Sequence, residues 1–263
     1  MNISSASFLV RVCFLAGLAL LAPGASGNVG AGLPGTIERV KHSVVAVGTY
    51  QRTRSPAFAY RGTGFVVGNG TLVATNAHVL PERVATDDRE ALVVVTSAAG
   101  GEPQVREAKF VAADKAHDLA LLRITGAPLP ALDLHDSSTV REGQVFAFTG
   151  FPLGNTLGLM PVTHRGMISS VTPIAMPSAT AQQLNEKVIR SIKAGVFQVY
   201  QLDATAYPGS SGSPMYDVET GRVVGIINMV FVRGTRESAV SNPSGITFAV
   251  PVRFLRELIS QRP

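Results

Sequence analysis

The chain carries a single cysteine, Cys13, among its 263 residues. That cysteine sits in an N-terminal stretch laid out like a secretory leader. Arg11 is the lone positive charge of the start, Val12–Ala22 is an unbroken apolar run, and Ala25-Ser26-Gly27 supplies the small residues of a cleavage site. Removal of residues 1–27 leaves a mature chain without cysteine. This excludes the disulfide-stapled scaffolds of small secreted proteins, thiolate catalysis, iron–sulfur clusters and cysteine-ligated zinc. The core alone has to hold the fold. The chain also lacks a long apolar run, because a bilayer span needs about 20 residues and Val12–Ala22 is far shorter. Export to the periplasm or beyond the cell is expected, with no stable membrane insertion once the leader is removed.

Charge is sparse as well. Charged residues make up 16% of the chain, and 23 Lys and Arg against 18 Asp and Glu give a net charge of +5. The excess is spread, with no basic run interleaved with aromatics, so a nucleic-acid partner is not expected. His42, His78, His117, His135 and His164 show no short ligand spacing, and neither a metal nor another cofactor is implied.

What the sequence does contain is short β-branched runs separated by turn residues, the pattern of all-β barrels or sandwiches. Six lie in the first half, at His42–Tyr50, Phe58–Val67, Thr71–Asn76, Ala91–Ser97, Glu107–Ala113 and Asp118–Thr125. Gly68-Asn69-Gly70 reads as a tight hairpin turn between the second and third. After the Pro-containing stretch 126–134 six more follow, at Val145–Phe151, Pro161–Val171, Val196–Ala204, Ser213–Asp217, Val223–Val232 and Gly245–Val250. Two groups of six predict two β-barrels side by side: 28–125, a linker at 126–134, and 135–263. Two segments break the pattern. Thr180–Lys193 places Leu184, Val188, Ile189 and Ile192 at helical spacing and predicts a short inserted helix; Val252–Ile259 predicts a closing helix.

Three stretches can carry chemistry. Tyr207–Pro214, YPGSSGSP, holds Ser210 and Ser211 between Gly209 and Gly212. Such a turn can present a hydroxyl nucleophile with backbone N–H groups aimed at an oxyanion, and taken alone it can equally be a plain turn. His78 follows the third strand and can be a general base or a structural histidine. Asp118 stands directly before the apolar run LALL, where a buried carboxylate needs a partner. Asp114, four residues earlier, competes for the same role.

The order His, Asp, Ser along the chain is that of chymotrypsin-type enzymes. With GTGFVVGNGTLVATNAHVL at Gly62–Leu80, DKAHDLALLRI at Asp114–Ile124, GFPLGN, RGMISSV, QLDATAYPGSSGSP at Gln201–Pro214, VVGIINM at Val223–Met229 and GITFAVP at Gly245–Pro251, the chain resembles the trypsin-like serine proteases. It is most similar to the bacterial high-temperature-requirement (Deg) type over about Val40 to Arg256. The resemblance implies a chymotrypsin-like fold of two six-stranded antiparallel barrels and an exported serine endopeptidase acting on polypeptides. It implies Ser211 as nucleophile, His78 as general base and acid, and Asp118 as the acid that fixes the imidazole, with the N–H groups of Gly209 and Ser211 as oxyanion hole. Asp118 is preferred over Asp114 because the family's acid directly precedes the apolar strand. By the same resemblance Thr205 stands where trypsins carry the acid that binds Lys or Arg, and Ile226, Ile227 and Asn228 form the opposite pocket wall, which implies small or aliphatic side chains at the cleavage site. Ser213 is like that of glutamyl endopeptidases, but no histidine follows Ser211, so a strict acidic preference is not expected. The peptide-binding PDZ domain that many Deg proteases carry is expected to be absent. A second class stays open: a protease-fold binding protein whose site is present in sequence but catalytically silent.

Overall fold

The computed structural model describes residues 32–81, 90–96, 102–175, 196–229 and 245–261. The expected leader at 1–27 and the expected helix at 180–193 lie outside the described residues. Twelve strands close into two six-stranded barrels. The first has the order β1-β2-β3-β6-β5-β4, from β1 Val44–Tyr50, β2 Phe58–Val67, β3 Leu72–Asn76, β4 Ala91–Thr96, β5 Val105–Asp114 and β6 Leu119–Ile124. The second has the order β10-β11-β12-β9-β8-β7, from β7 Val145–Gly150, β8 Val162–Ala175, β9 Val196–Leu202, β10 Pro214–Asp217, β11 Val223–Asn228 and β12 Thr247–Pro251. All named strand pairs are antiparallel. Closure leaves no free sheet edge.

Alternation along the strands fills each barrel. Val45, Val47, Val73, Val94 and Leu122 form the interior cluster of the first, and Phe148, Ile168, Leu202, Met215 and Ile227 that of the second. The largest cluster lies between them, joining Phe65, Leu119 and Leu121 to Val199, Ile226 and Val250. Each fully buried Leu or Ile side chain there stabilises the fold by about 1.5–3 kcal/mol. Onto this seam packs the closing helix, Val252–Ser260, whose Val252, Leu255 and Leu258 are buried in the same cluster.

Two helices were not expected from the sequence. The first, α1 at Leu33–Lys41, begins in what reads as a Gly- and Pro-rich lead. Pro34 falls in its opening turn, where a missing N–H costs nothing, and Thr36 and Val40, one turn apart, are buried. His42, read as strand, instead caps this helix. The second, α2, is a single turn at Gly154–Leu157; the closing helix is therefore α3. The Gly68-Asn69-Gly70 turn forms as expected, with both glycines at positive φ and Asn69 Oδ1 accepting from the Thr71 N–H.

Candidate active site

The pairing of β3 with β6 sets the first half of the site. Asn76 at the end of β3 is registered against Leu119 at the start of β6, so the residue after one strand meets the residue before the other. His78 sits in the single 3₁₀ turn Ala77–Val79 that follows β3, and Asp118 immediately precedes β6. Asp118 is a non-glycine residue in the left-handed region, at φ 55°, a conformation Asp and Asn tolerate better than most side chains. Its surroundings over-determine that conformation. Its carbonyl accepts from the Ala77 N–H and from Asn76 Nδ2, each at 3.0 Å. Its Oδ1 accepts from the His78 N–H at 2.9 Å, and Oδ2 lies 2.5 Å from His78 Nδ1 and accepts from Asn228 Nδ2 at 2.7 Å.

A carboxylate offers only acceptors, so His78 Nδ1 must carry the proton of that short contact, which leaves Nε2 with its lone pair. Asp118 is 3% exposed, while the His78 side chain is 30% exposed. A buried acid therefore orients an imidazole that reaches solvent. Asp114 is engaged elsewhere: its Oδ1 accepts from the N–H groups of Ala116 and His117, and its Oδ2 faces His117 Nδ1 at 2.5 Å. His117 in turn stacks on Phe254 of α3, with ring centres 3.6 Å apart. Of the two acids, Asp118 is the one joined to His78.

The second half of the site is the turn 207–213 between the barrels. The Ser210 N–H donates to the Tyr207 carbonyl at 2.9 Å and the Ser213 N–H to the Ser210 carbonyl at 3.1 Å, so two successive tight turns wrap Ser211. The turn is pinned on both sides. Its Ser211 carbonyl accepts from the Thr63 N–H of β2, and its Gly212 N–H donates to the Ile227 carbonyl of β11, each at 2.9 Å. Gly212 has φ 87°, and a Cβ there would lie 2.0 Å from the Thr63 carbonyl oxygen, so no other residue fits.

Gly209, at φ 99°, turns its carbonyl inward to two side chains of the first barrel. Thr63 Oγ1 donates to it at 2.8 Å, and the Tyr60 hydroxyl lies 2.6 Å from it and 2.8 Å from the Phe151 carbonyl. Burial pushes the Tyr60 phenol well above its ordinary range, so it stays a protonated donor. With the carbonyls committed inward, the Gly209 and Ser211 N–H groups meet no acceptor among the described residues. Ser211 itself is 5% exposed, and its hydroxyl accepts from the Met229 N–H at 3.4 Å. Ser211 and His78 are not hydrogen-bonded to each other.

The residues expected to form a specificity pocket separate. Ile226 faces the seam between the barrels, Ile227 the interior of the second barrel, and Asn228 the Asp118 carboxylate. Thr205 lies half-buried between Ala204 and Ala206, whose side chains share a cluster with Ile227. Asn228 thus holds the acid, and Ile226 packs the seam away from Thr205. Alternation along β11 is the reason, since consecutive strand residues point to opposite faces. Three further residues of the site carry no signal of their own in the sequence: Thr63 and Asn76 lie within the stretch Gly62–Leu80, and Tyr60 stands just before it. On the first-barrel side of His78 a cleft of about 890 Å³ opens, lined by Leu80, Leu92, Phe110 and Ala113 with Arg61 and Lys115 among the lining residues.

Residues 62–226 match the trypsin-like peptidase domain. The chain belongs to the trypsin-like peptidase family. Within that family it is of the Deg/HtrA type. It is 27% identical over 201 residues to a probable periplasmic serine endoprotease DegP-like of Halomonas elongata, covering 76% of this chain and 34% of that protein. It is 32% identical over 199 residues to the mitochondrial serine protease HTRA2 of Bos taurus, covering 75% and 35%. A solved HtrA-type protease with a tripeptide shares the fold, with a TM-score of 0.58 and 22% identity over 87% of this chain and 62% of that one. The peptidase spans about a third of the length of these curated relatives. Its two closed barrels are the chymotrypsin-like architecture.

Proposed function

We propose that this peptidase is an exported serine endopeptidase that hydrolyses peptide bonds through an acyl-enzyme, with Ser211 as nucleophile, His78 as base and acid, and Asp118 as the group that orients and stabilises the imidazole. The observation that carries the reading is the enclosed Asp118, whose carboxylate receives His78 Nδ1, the His78 N–H and Asn228 Nδ2 together. A merely structural aspartate does not need to leave one imidazole nitrogen facing solvent with its lone pair free.

The chemistry follows from these positions. As Ser211 Oγ attacks the scissile carbonyl carbon, rotating away from the Met229 N–H, its proton passes to His78 Nε2. The oxygen of the tetrahedral adduct takes the negative charge and accepts from the free N–H groups of Gly209 and Ser211. The C–N bond then breaks as His78 returns the proton to the leaving amine. Water attacks the acyl-enzyme by the same route in reverse roles, releasing a carboxylic acid and restoring Ser211. The imidazolium formed in each half is stabilised by Asp118, which stays ionised.

Thr205 is neutral, and its neighbours Ala204 and Ala206 pack with Ile227 in an apolar cluster, which supports an uncharged side chain of small or medium size before the cut. The leader at 1–27 and the periplasmic DegP-like relatives support export. A fluorophosphonate probe with the mature protein and its Ser211→Ala variant tests the assignment. Labelling and proteolysis by the parent, both absent from the variant, are expected; activity surviving in Ser211→Ala refutes it.

A further inference from the structure

Three buried side-chain atoms find no hydrogen-bond partner among the described residues: Asn76 Oδ1, Ser213 Oγ and His164 Nε2. The last is the one titratable group of the three, and neither the mechanism above nor the packing of the barrels uses it. His164 is registered opposite Phe148 across the β7–β8 pair. On β8 it shares the inward face with Gly166 and Ile168, which are buried, while Arg165 and Met167 on the other face are exposed. Its ring stacks on that of Phe148 at 5.1 Å and 18°, and lies 6.3 Å from the ring of Tyr207.

That position is next to the segment that leads to Ser211. Tyr207 closes the first of the two turns around the serine through its carbonyl. Ala204 and Ala206 lie in the same interior cluster as Phe148. Thr205, between them, makes no side-chain hydrogen bond among the described residues. The apolar cluster beside this segment is thus bordered by a buried imidazole nitrogen that has no partner among the described residues. Buried polar atoms are satisfied in the great majority of native structures, and one that is not calls for an explanation, for which a bound ligand is the direct one.

We propose that His164 is a specificity-determining residue of this peptidase, its Nε2 hydrogen-bonding a side-chain carboxamide, so that cleavage follows glutamine or asparagine. The inference rests on the serine-endopeptidase reading and names the substrate class of that site. The chemistry favours the carboxamide over aliphatic and charged side chains. Burial lowers the His164 pKa below the usual imidazole value, which leaves the ring neutral near pH 7. A neutral ring presents either an N–H or a lone pair at Nε2, depending on its tautomer. A carboxamide has both a carbonyl and an NH₂ and matches either form. An aliphatic side chain satisfies neither, and a carboxylate or an ammonium group would be desolvated beside a ring that carries no compensating charge.

Binding separates this inference from the hydrolysis itself. Peptides with a free C-terminal Gln or Leu, otherwise identical, are titrated calorimetrically into the Ser211→Ala protein, which cannot turn them over. The Gln peptide is expected to bind at least about tenfold more tightly, since a site built for a hydrogen bond discriminates against a partner that lacks it. In Ser211→Ala/His164→Phe, which keeps a ring against Phe148, the preference should fall to within about threefold. Should the double variant not fold, the imidazole ¹⁵N resonances of His164 in Ser211→Ala give the same answer: Nε2 shifts with the Gln peptide and not with the Leu peptide. Equal binding of the two peptides, an undiminished preference in the double variant, or an unmoved Nε2 resonance overturns the proposal. Gln-selective binding in a protein whose Ser211 resists the fluorophosphonate would instead leave the specificity intact and strike only the hydrolysis.

Discussion

At the scale of single residues, the site is a set of hydrogen bonds whose directions decide the chemistry. Asp118 tells most, because it combines a left-handed backbone, a buried carboxylate and three donors aimed at its two oxygens. Replacing it by Asn keeps the shape and a residue type that tolerates positive φ. The amide NH₂, however, would face His78 Nδ1 and force that nitrogen to accept, moving the ring proton to Nε2 where the serine proton has to go. Asp118→Asn should therefore lower kcat by about 10⁴-fold with little change in KM, as expected for the wrong imidazole tautomer. Thermal unfolding of the variant checks that the loss is chemical, and a fall in kcat of less than about tenfold would contradict the orienting role. The triad order and the acid before the apolar strand were legible in the sequence because each is a local pattern. The roles of Tyr60 and Thr63 were not, since they meet Gly209 across 149 and 146 positions of the chain and no spacing records such a contact.

At the scale of elements, the strands were legible as β-branched and apolar runs bounded by turn residues, and the closing helix was legible because its apolar face is unbroken. β2 has the bounds the sequence suggests, Phe58–Val67, because Gly68 ends it and β-branched or aromatic residues fill it. α1 was hidden because Leu33-Pro34-Gly35 reads as a loop; tertiary burial of Thr36 and Val40 against the second barrel's side of the molecule overrides that local signal. α3 was visible, since Val252, Leu255 and Leu258 share one face, and its function in the fold is to close the seam between the barrels. Leu255 is fully buried there, so Leu255→Ala should destabilise the protein by about 2–5 kcal/mol through lost burial and the cavity left behind. Urea denaturation measures this. The exposed neighbour Arg256, changed to Ala, should stay within about 0.5 kcal/mol of the parent.

At the scale of the whole molecule, the two barrels cannot act apart, because the hydrogen bonds that join the two halves of the site cross between them. The first barrel provides His78, Asp118, Tyr60 and Thr63, and the second provides the Ser211 turn and Asn228. Two buried tyrosines make this interdependence measurable with pH. Tyr60 of β2 binds the Gly209 and Phe151 carbonyls, and Tyr216 of β10 binds Thr149 Oγ1 within 2.7 Å. Burial raises both phenols above their ordinary value of about 10. Above that pH the unfolded chain gives up these protons while the folded one keeps them, so the folded state binds more protons and its stability falls as pH rises. The urea midpoint should accordingly be level from about pH 8 to 9.5 and decline from about pH 10 upward. Because the seam cluster and the Tyr60 contacts join the barrels, circular dichroism and loss of fluorophosphonate labelling at Ser211 should give the same midpoint at each pH. Tyr60→Phe should be less stable at pH 8, having left the Gly209 carbonyl with Thr63 as its only side-chain donor, and should show a shallower alkaline decline. Labelling lost at a lower urea concentration than the secondary structure would instead mean that the Ser211 turn opens while both barrels stay folded.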